Sequence, residues 1–382
     1  MLLINGRVLT MAGKVWENGY VRTEGKVIAD IGSMDTICVN DSEEVIDACG
    51  GWIMPGLIDA HTHMGITEER KGTIGDDCNE ITDPITPHLR GLDAVNPMDC
   101  AFHDAIMAGI TSVMAGPGSA NVVGGQFVFM KTHGRCIDEM CVLEPAAMKV
   151  AFGENPKTNY GDQGQSPATR MAIAAMLREE LFRAKQYWEK KKKGKLSEKD
   201  FRMEAWIPVL EKKIPMKAHA HRADDILTAI RIAREFDVDI TLDHCTEGHL
   251  IAEEVAASGF PAIVGTDLTS RSKIEVENMS FKTCGVLEKA GVMVAVTTDH
   301  PVAIIRYLPL CAGMAVQQGM SLEGGLKALT IHPAKICRAA DRVGSLEVGK
   351  DADIAVFTGN PMEVFTETIC TVIDGEAVYR RE

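Results

Sequence analysis

The sequence predicts an α/β protein, with parallel strands alternating with helices through the middle of the chain and a separate β-module built from both ends. Three observations carry that reading. In the middle, apolar strand-like runs such as ITSVMAG, AAMKVAFG and DITLDHC alternate with helical patterns such as ADDILTAIRIAREF, the texture of strands joined by crossover helices. The two ends instead read as short strands broken by glycine turns, and neither piece could bury a core alone. Histidines and an aspartate stand where several apolar runs turn polar, and α/β proteins keep their chemistry at such strand ends. On these grounds the sheet is either a closed (β/α) barrel or an open doubly wound sheet.

Residues 1–54 hold the segments LLING, VRTEG and KVIADIG, then EEVIDACGGWIMP. Residues 344–382 repeat that texture in DADIAVF and ETICTVIDGEAVYRR. The two ends are expected to pair into one module, with residues 55–343 inserted between them. At 382 residues the chain has room for both, since a barrel takes about 250 residues.

The stretch WIMPGLIDAHTHMG links the two parts. A Pro-Gly turn at Pro55 and Gly56 leads into Leu57 to His63. On a strand, His61 and His63 project from one face, and two neutral imidazoles side by side make half of a transition-metal site. Later strand ends supply partners: His219 and His221 in PMKAHAH, His244 in TLDHCTEGH, and Asp299 in VMVAVTTDHP. Such residues at buried strand ends need partners, and a divalent cation supplies one. His88, His103, His133 and His332 read as structural.

Three other stretches need weighing. AGPGSANVVGGQ, from Ala115 to Gln126, has neither the G-x-G-x-x-G spacing nor a Gly-Lys-Ser/Thr phosphate loop; it reads as a tight loop at the sheet's mouth. The loops GENPKTNYGDQGQSPATR and GTDLTSRSKIEVEN carry Tyr160 and the cations Lys157, Arg170, Arg271 and Lys273, placed to read a substrate carboxylate. Ser166 to Lys213 is a long charged helical insertion whose Lys190–Lys193 run reads as a solvated helix end.

Composition excludes several classes. A net charge of −14 argues against nucleic acid or an anionic membrane surface as partner. No stretch approaches the roughly 18 apolar residues that span a bilayer, and the N-terminus lacks signal-peptide organisation. The 11 cysteines show no C-x-x-C spacing, so free thiols in a reducing compartment are expected. The expectation is a cytoplasmic, soluble protein acting on a small molecule, its oligomeric state (a homo-oligomer included) left open.

PGLIDAHTHMG, AHAHRADDI, LDHCTEGH, TTDHP and LTIHPAKICRAADRVGSLEVGKDADIAVF together resemble the amidohydrolase superfamily, most closely its imidazolonepropionase-like and prolidase-like branch. The resemblance spans nearly the whole chain. It implies a (β/α)8 TIM barrel with a composite β-sandwich, and one or two divalent metals, zinc foremost, that activate water. By position, His61 and His63 would bind the more buried metal, and His219 and His244 the more exposed one. Asp299 would be both ligand and proton shuttle. His221 would stand behind the ligands or face substrate. Binuclear relatives bridge the ions with a carboxylated lysine or a glutamate; Lys149 occupies that place, with Glu154 next. An apolar setting leaves a lysine the free amine that carboxylation needs. The implied activity is hydrolysis of a C–N bond. The enzymatic alternative is a mononuclear deaminase or an imidazolonepropionase-like ring opener, but no glutamate follows His219 closely, as it tends to in the deaminases. A non-catalytic binding protein on this fold is the alternative from another class.

Overall fold

The computed structural model describes residues 1–39, 43–69 and 71–381. The chain opens with β1 (Leu2–Leu9), β2 (Val15–Glu24), β3 (Val27–Ser33), β4 (Val45–Asp47) and β5 (Trp52–Pro55). Eight further strands follow: β6 (Leu57–Thr62), β7 (Ile110–Ala115), β8 (Val123–Lys131), β9 (Cys141–Ala151), β10 (Met216–Ala220), β11 (Ile240–His244), β12 (Ala262–Val264) and β13 (Val294–Val296). The chain closes with β14 (Ile354–Phe357), β15 (Thr368–Ile373) and β16 (Glu376–Arg380).

Among the described residues these strands form two eight-stranded sheets. One runs β16-β15-β14-β5-β1-β2-β3, with β4 beside β1, so the two chain ends share a sheet as expected. Its central pairing is β5 against β14, where Trp52 to Pro55 face Phe357 to Ile354. The other sheet runs in sequence order from β6 to β13. Every residue of β6, β7, β8, β10 and β11 is buried, which explains why these strands read as continuous apolar runs rather than alternating ones.

The second sheet is a nearly closed barrel with one departure from strand–helix repetition. β8 runs antiparallel to both β7 and β9, whereas the remaining neighbours are parallel. The expected mouth loop is thus half right. Gly116 to Val122 is irregular, but Val123 to Gln126 begin β8. Glycines at 124 and 125 give no side-chain alternation from which to read a strand; Gly125 lies opposite Lys149 with φ +125°, and a Cβ there would stand 2.5 Å from the Leu89 carbonyl oxygen.

No ladder joins β6 to β13 in the sheet order; a side chain closes that seam. Asp59 accepts from the Thr298 N–H at 2.9 Å, the Thr298 hydroxyl at 2.6 Å and the His61 N–H at 3.1 Å. The Thr297 hydroxyl lies 2.6 Å from Oδ1, the oxygen that also meets the His61 N–H. Burial pushes Asp59 up to about 6 against the pull of these bonds. Asp59→Ala would leave several buried donors without an acceptor. Each such group costs roughly 1–3 kcal/mol, so a loss of at least about 3 kcal/mol is expected in denaturant unfolding; a wild-type midpoint would show that the seam is held otherwise.

The insertion is an ordered 23-residue helix, Arg170–Lys192, capped by Thr169 accepting from the Ala172 N–H. Its lysine run is exposed, and Lys192 lies over the Trp188 ring. No helix among the described residues is long and apolar enough to cross a membrane. Among the described residues, no disulfide joins any of the 11 cysteines.

Candidate metal centre

Four strand ends of the barrel converge on one buried point. The His61 ring at the end of β6 lies 5.5 Å from that of His63, 5.0 Å from that of His244 and 5.4 Å from Phe127, which floors the group. Asp299, just past β13, sets Oδ1 3.3 Å from His63 Nε2 and 3.6 Å from His61 Nε2. The Lys149 ammonium of β9 stands 3.2 Å from His61 Nε2.

The imidazoles are oriented from behind. His61 Nδ1 donates to Asp243 at 2.7 Å, His63 Nδ1 to the Gly116 carbonyl at 2.7 Å, and His244 Nδ1 to the Gly265 carbonyl at 2.7 Å. Each bond fixes the tautomer that leaves the Nε2 lone pair free, as metal-binding histidines require. Asp243 also receives the buried Lys217 at 3.1 Å. On the outer side, His219 of β10 lies 4.5 Å ring to ring from His244, and its buried Nδ1 has no partner among the described residues.

The electrostatics suit a cation. Burial drives His61, His219 and His244 well below the ordinary histidine value; the Lys149 ammonium adds to this for His61 and His219, while Asp299 opposes it for His244. They are therefore neutral donors. Burial alone would raise Asp299, but His244, His63 and Lys149 outweigh it and hold it at about 2. Burial lowers His63 as well, yet Cys78 and Asp299 prevail and raise it to about 10; a dication on the same nitrogen would take that proton's place. Two ligand groups follow from the donor positions, His61–His244–Asp299 and His219–His221–His244. The donor set of imidazoles and carboxylate fits a first-row divalent metal.

Comparison with known proteins decides the family: the Amidohydrolase family matches residues 52–378. The chain belongs to it. An amidohydrolase from Thermotoga maritima MSB8 is 41% identical, with a TM-score of 0.95 and full coverage of both chains. Amidohydrolase tasK of Hapsidospora irregularis is 26% identical over 96% of this chain, which spans only 40% of that longer protein. A prolidase structure with bound N-methylphosphonate-L-proline, 16% identical at a TM-score of 0.61 over 100% of this chain and 99% of that one, shares the fold.

Within this chain, the residues expected to meet substrate part company. Lys273 reaches the site: its ammonium donates to Asn155 Oδ1, and Asn155 Nδ2 lies 3.5 Å from His219 Nε2. His221 stands with its ring 4.7 Å from that of His219. The other three are bonded to protein groups. Arg170 is held by both oxygens of Asp225 at 3.0 and 3.1 Å, because the helix beginning at Ala223 brings an acid the loop reading did not include. Arg271 donates to the carbonyls of Glu277 and Met279, both at 3.0 Å. Tyr160 is fully buried and donates to Asn121 at 2.6 Å. Glu154, the second bridging candidate, instead places its carboxylate 3.3 Å from the Glu275 N–H.

Sequence reasoning missed Asp59, Asp243, Asn155 and Glu275. Asp243 had a signal, since it precedes His244 and is buried on a strand with no cation in sequence to pair it. Glu275 had none: it sits in a polar loop after β12 yet is 1% exposed, 3.8 Å from His221 and 3.9 Å from His219. A glutamate from another loop therefore stands near His219, although none follows it closely in sequence.

Proposed function

We propose that this chain is a metal-dependent hydrolase that cleaves a carbon–nitrogen bond in a small amide, peptide-like or cyclic amide substrate, in the prolidase-like and imidazolonepropionase-like branch. One observation carries it: imidazoles on β6, β10 and β11, with Asp299, surround one buried point, and those of His61, His63 and His244 have their outer nitrogens locked by hydrogen bonds. His61, His63 and Asp299 would hold one ion, and His219 and His244 a second, zinc in both places. A bound dication supplies a Lewis acid that makes water acidic near neutral pH and polarises a carbonyl. Asp299 is ionised and 15% exposed, so it can take the proton of an attacking water and return it to the leaving nitrogen. Asp243 holds the His61 ring in place throughout. Lys273, at the accessible edge, is placed to bind a substrate carboxylate. The catalytic unit would be residues 55–343.

Lys149 is the bridging candidate. Burial lowers it to about 8, which leaves enough free amine for carboxylation. Lys149→Ala should take metal content from about two equivalents to about one. Two equivalents retained in that variant would reject the bridge. The broader test is elemental analysis of His61→Ala/His63→Ala, which should lose most of its metal while staying folded; unchanged stoichiometry would refute the site.

A second reading, a mononuclear deaminase, is favoured by Glu275, which restores a carboxylate beside His219. Screening dipeptides, N-acyl amino acids and cyclic amides alongside ammonia release from amino-heterocycles separates the two.

A further inference from the structure

The end of β10 carries one imidazole more than that assignment uses. His221 follows the strand, and its ring lies 4.7 Å from that of His219 and 4.8 Å from that of His244, stacked on the latter at 19°. One nitrogen from each of the three falls within 4.8 Å of the other two. Small side-chain rotations would let them share one ion. His221 Nδ1 is 2.7 Å from the Thr246 hydroxyl; in the tautomer that donates there, Nε2 keeps its lone pair, the same arrangement found at His61, His63 and His244.

Two neighbouring atoms are buried without a partner among the described residues: His219 Nδ1 and Glu275 Oε1. The Glu275 oxygen lies 3.8 Å from His221 Nε2, 3.9 Å from His219 Nε2 and 3.9 Å from the Lys273 ammonium. Its other oxygen is fixed by the Glu154 N–H at 2.8 Å. Gly153, at φ +83°, makes room, since a Cβ there would stand 2.7 Å from that oxygen. A carboxylate held in this way is costly to bury unless positive charge stands nearby; the Lys273 ammonium is one such charge, and a cation among the imidazoles would be another. Three neutral imidazoles around a dication present the matching deficit, an uncompensated double charge.

We propose that His221 is a third imidazole ligand of the more exposed cation, completing a set with His219 and His244, and that Glu275 is the positioning carboxylate held against that set. The inference rests on the reading that this chain binds a divalent cation at these strand ends. It removes His221 from the residues facing substrate and leaves Lys273 as the polar group at that edge.

The test uses the full chain loaded with Co²⁺, whose visible absorption reports the number and kind of its donors. Elemental analysis gives the cobalt equivalents, and X-ray absorption counts the imidazoles. His221→Ala should lose one imidazole from the count and bind the weaker cobalt equivalent at least about tenfold less tightly. His221→Cys should add a thiolate-to-cobalt charge-transfer band over the wild-type spectrum, and it carries the test should the alanine variant fail to fold. Glu275→Gln should weaken the same equivalent with the imidazole count unchanged. A wild-type count and spectrum in folded His221→Ala, or no new band in folded His221→Cys, would overturn the proposal while leaving cation binding intact. A wild-type chain that takes up no cobalt would overturn the underlying reading as well.

Discussion

Asp299→Asn is expected to keep its metal and to lose turnover by at least about two orders of magnitude, the scale of removing a general acid–base group. Asparagine has nearly the same shape and retains an oxygen that can coordinate, but it cannot accept a proton. The wild-type carboxylate stays ionised because His244, His63 and Lys149 outweigh its burial, so the proton-accepting form is the resting one. Its Oδ1 lies 3.3 Å from His63 Nε2 and 3.6 Å from His61 Nε2, the nitrogens with which it would share a cation. Metal content and turnover can be measured on one preparation once screening has found a substrate. Near-normal turnover in a metal-replete variant would mean that another group moves the proton.

The second large effect lies at the opposite end of the barrel from the imidazoles. Lys131, the last residue of β8, is 3% exposed. Its ammonium meets Asp353 at 2.5 Å, Asp351 at 2.8 Å and Asp374 at 3.2 Å. Removing one partner of a buried ion cluster strands the others, typically at about 3–5 kcal/mol. Lys131→Met keeps the stem's packing and removes the charge, so the full loss should appear in that variant too. The pH dependence has a definite sign. Without the lysine, the crowded carboxylates bind protons more readily folded than unfolded. The defect is therefore present at neutral pH and should shrink as the pH falls into the carboxylate range. A Lys131→Met protein as stable as wild type at neutral pH would show that the cluster contributes nothing net.

Much of the candidate centre was legible because its residues obey local rules. His61 and His63 share a strand face by spacing alone, and His219, His244 and Asp299 each end an apolar run. The shared sheet of the chain ends was legible because neither end has enough apolar surface to fold alone. What failed was whatever depends on a partner distant in sequence. Arg170 reads as a free cation until the helix start at Asp225 reaches it, and Glu275 reads as surface until folding buries it against two histidines. β8 was hidden for a different reason: its glycines permit a tight antiparallel pairing while erasing the pattern by which a strand is recognised.

The reversal of β8 also gives the C-terminus a task. A parallel strand would end at the mouth, but this one starts there, opposite Lys149, carries the Phe127 ring beneath His61, and ends at Lys131 among aspartates of the last thirty-odd residues. The tail thus works as a guy-rope, pegging from outside a strand whose other end supports the imidazoles. A tag added beyond Arg381 leaves that peg in place; trimming the chain back past Asp374 removes one carboxylate, and past Asp351 all three. The shortened protein would be freed at the base of β8, beneath the imidazoles, and would lose β16 as well or, past Asp351, all of β14 to β16.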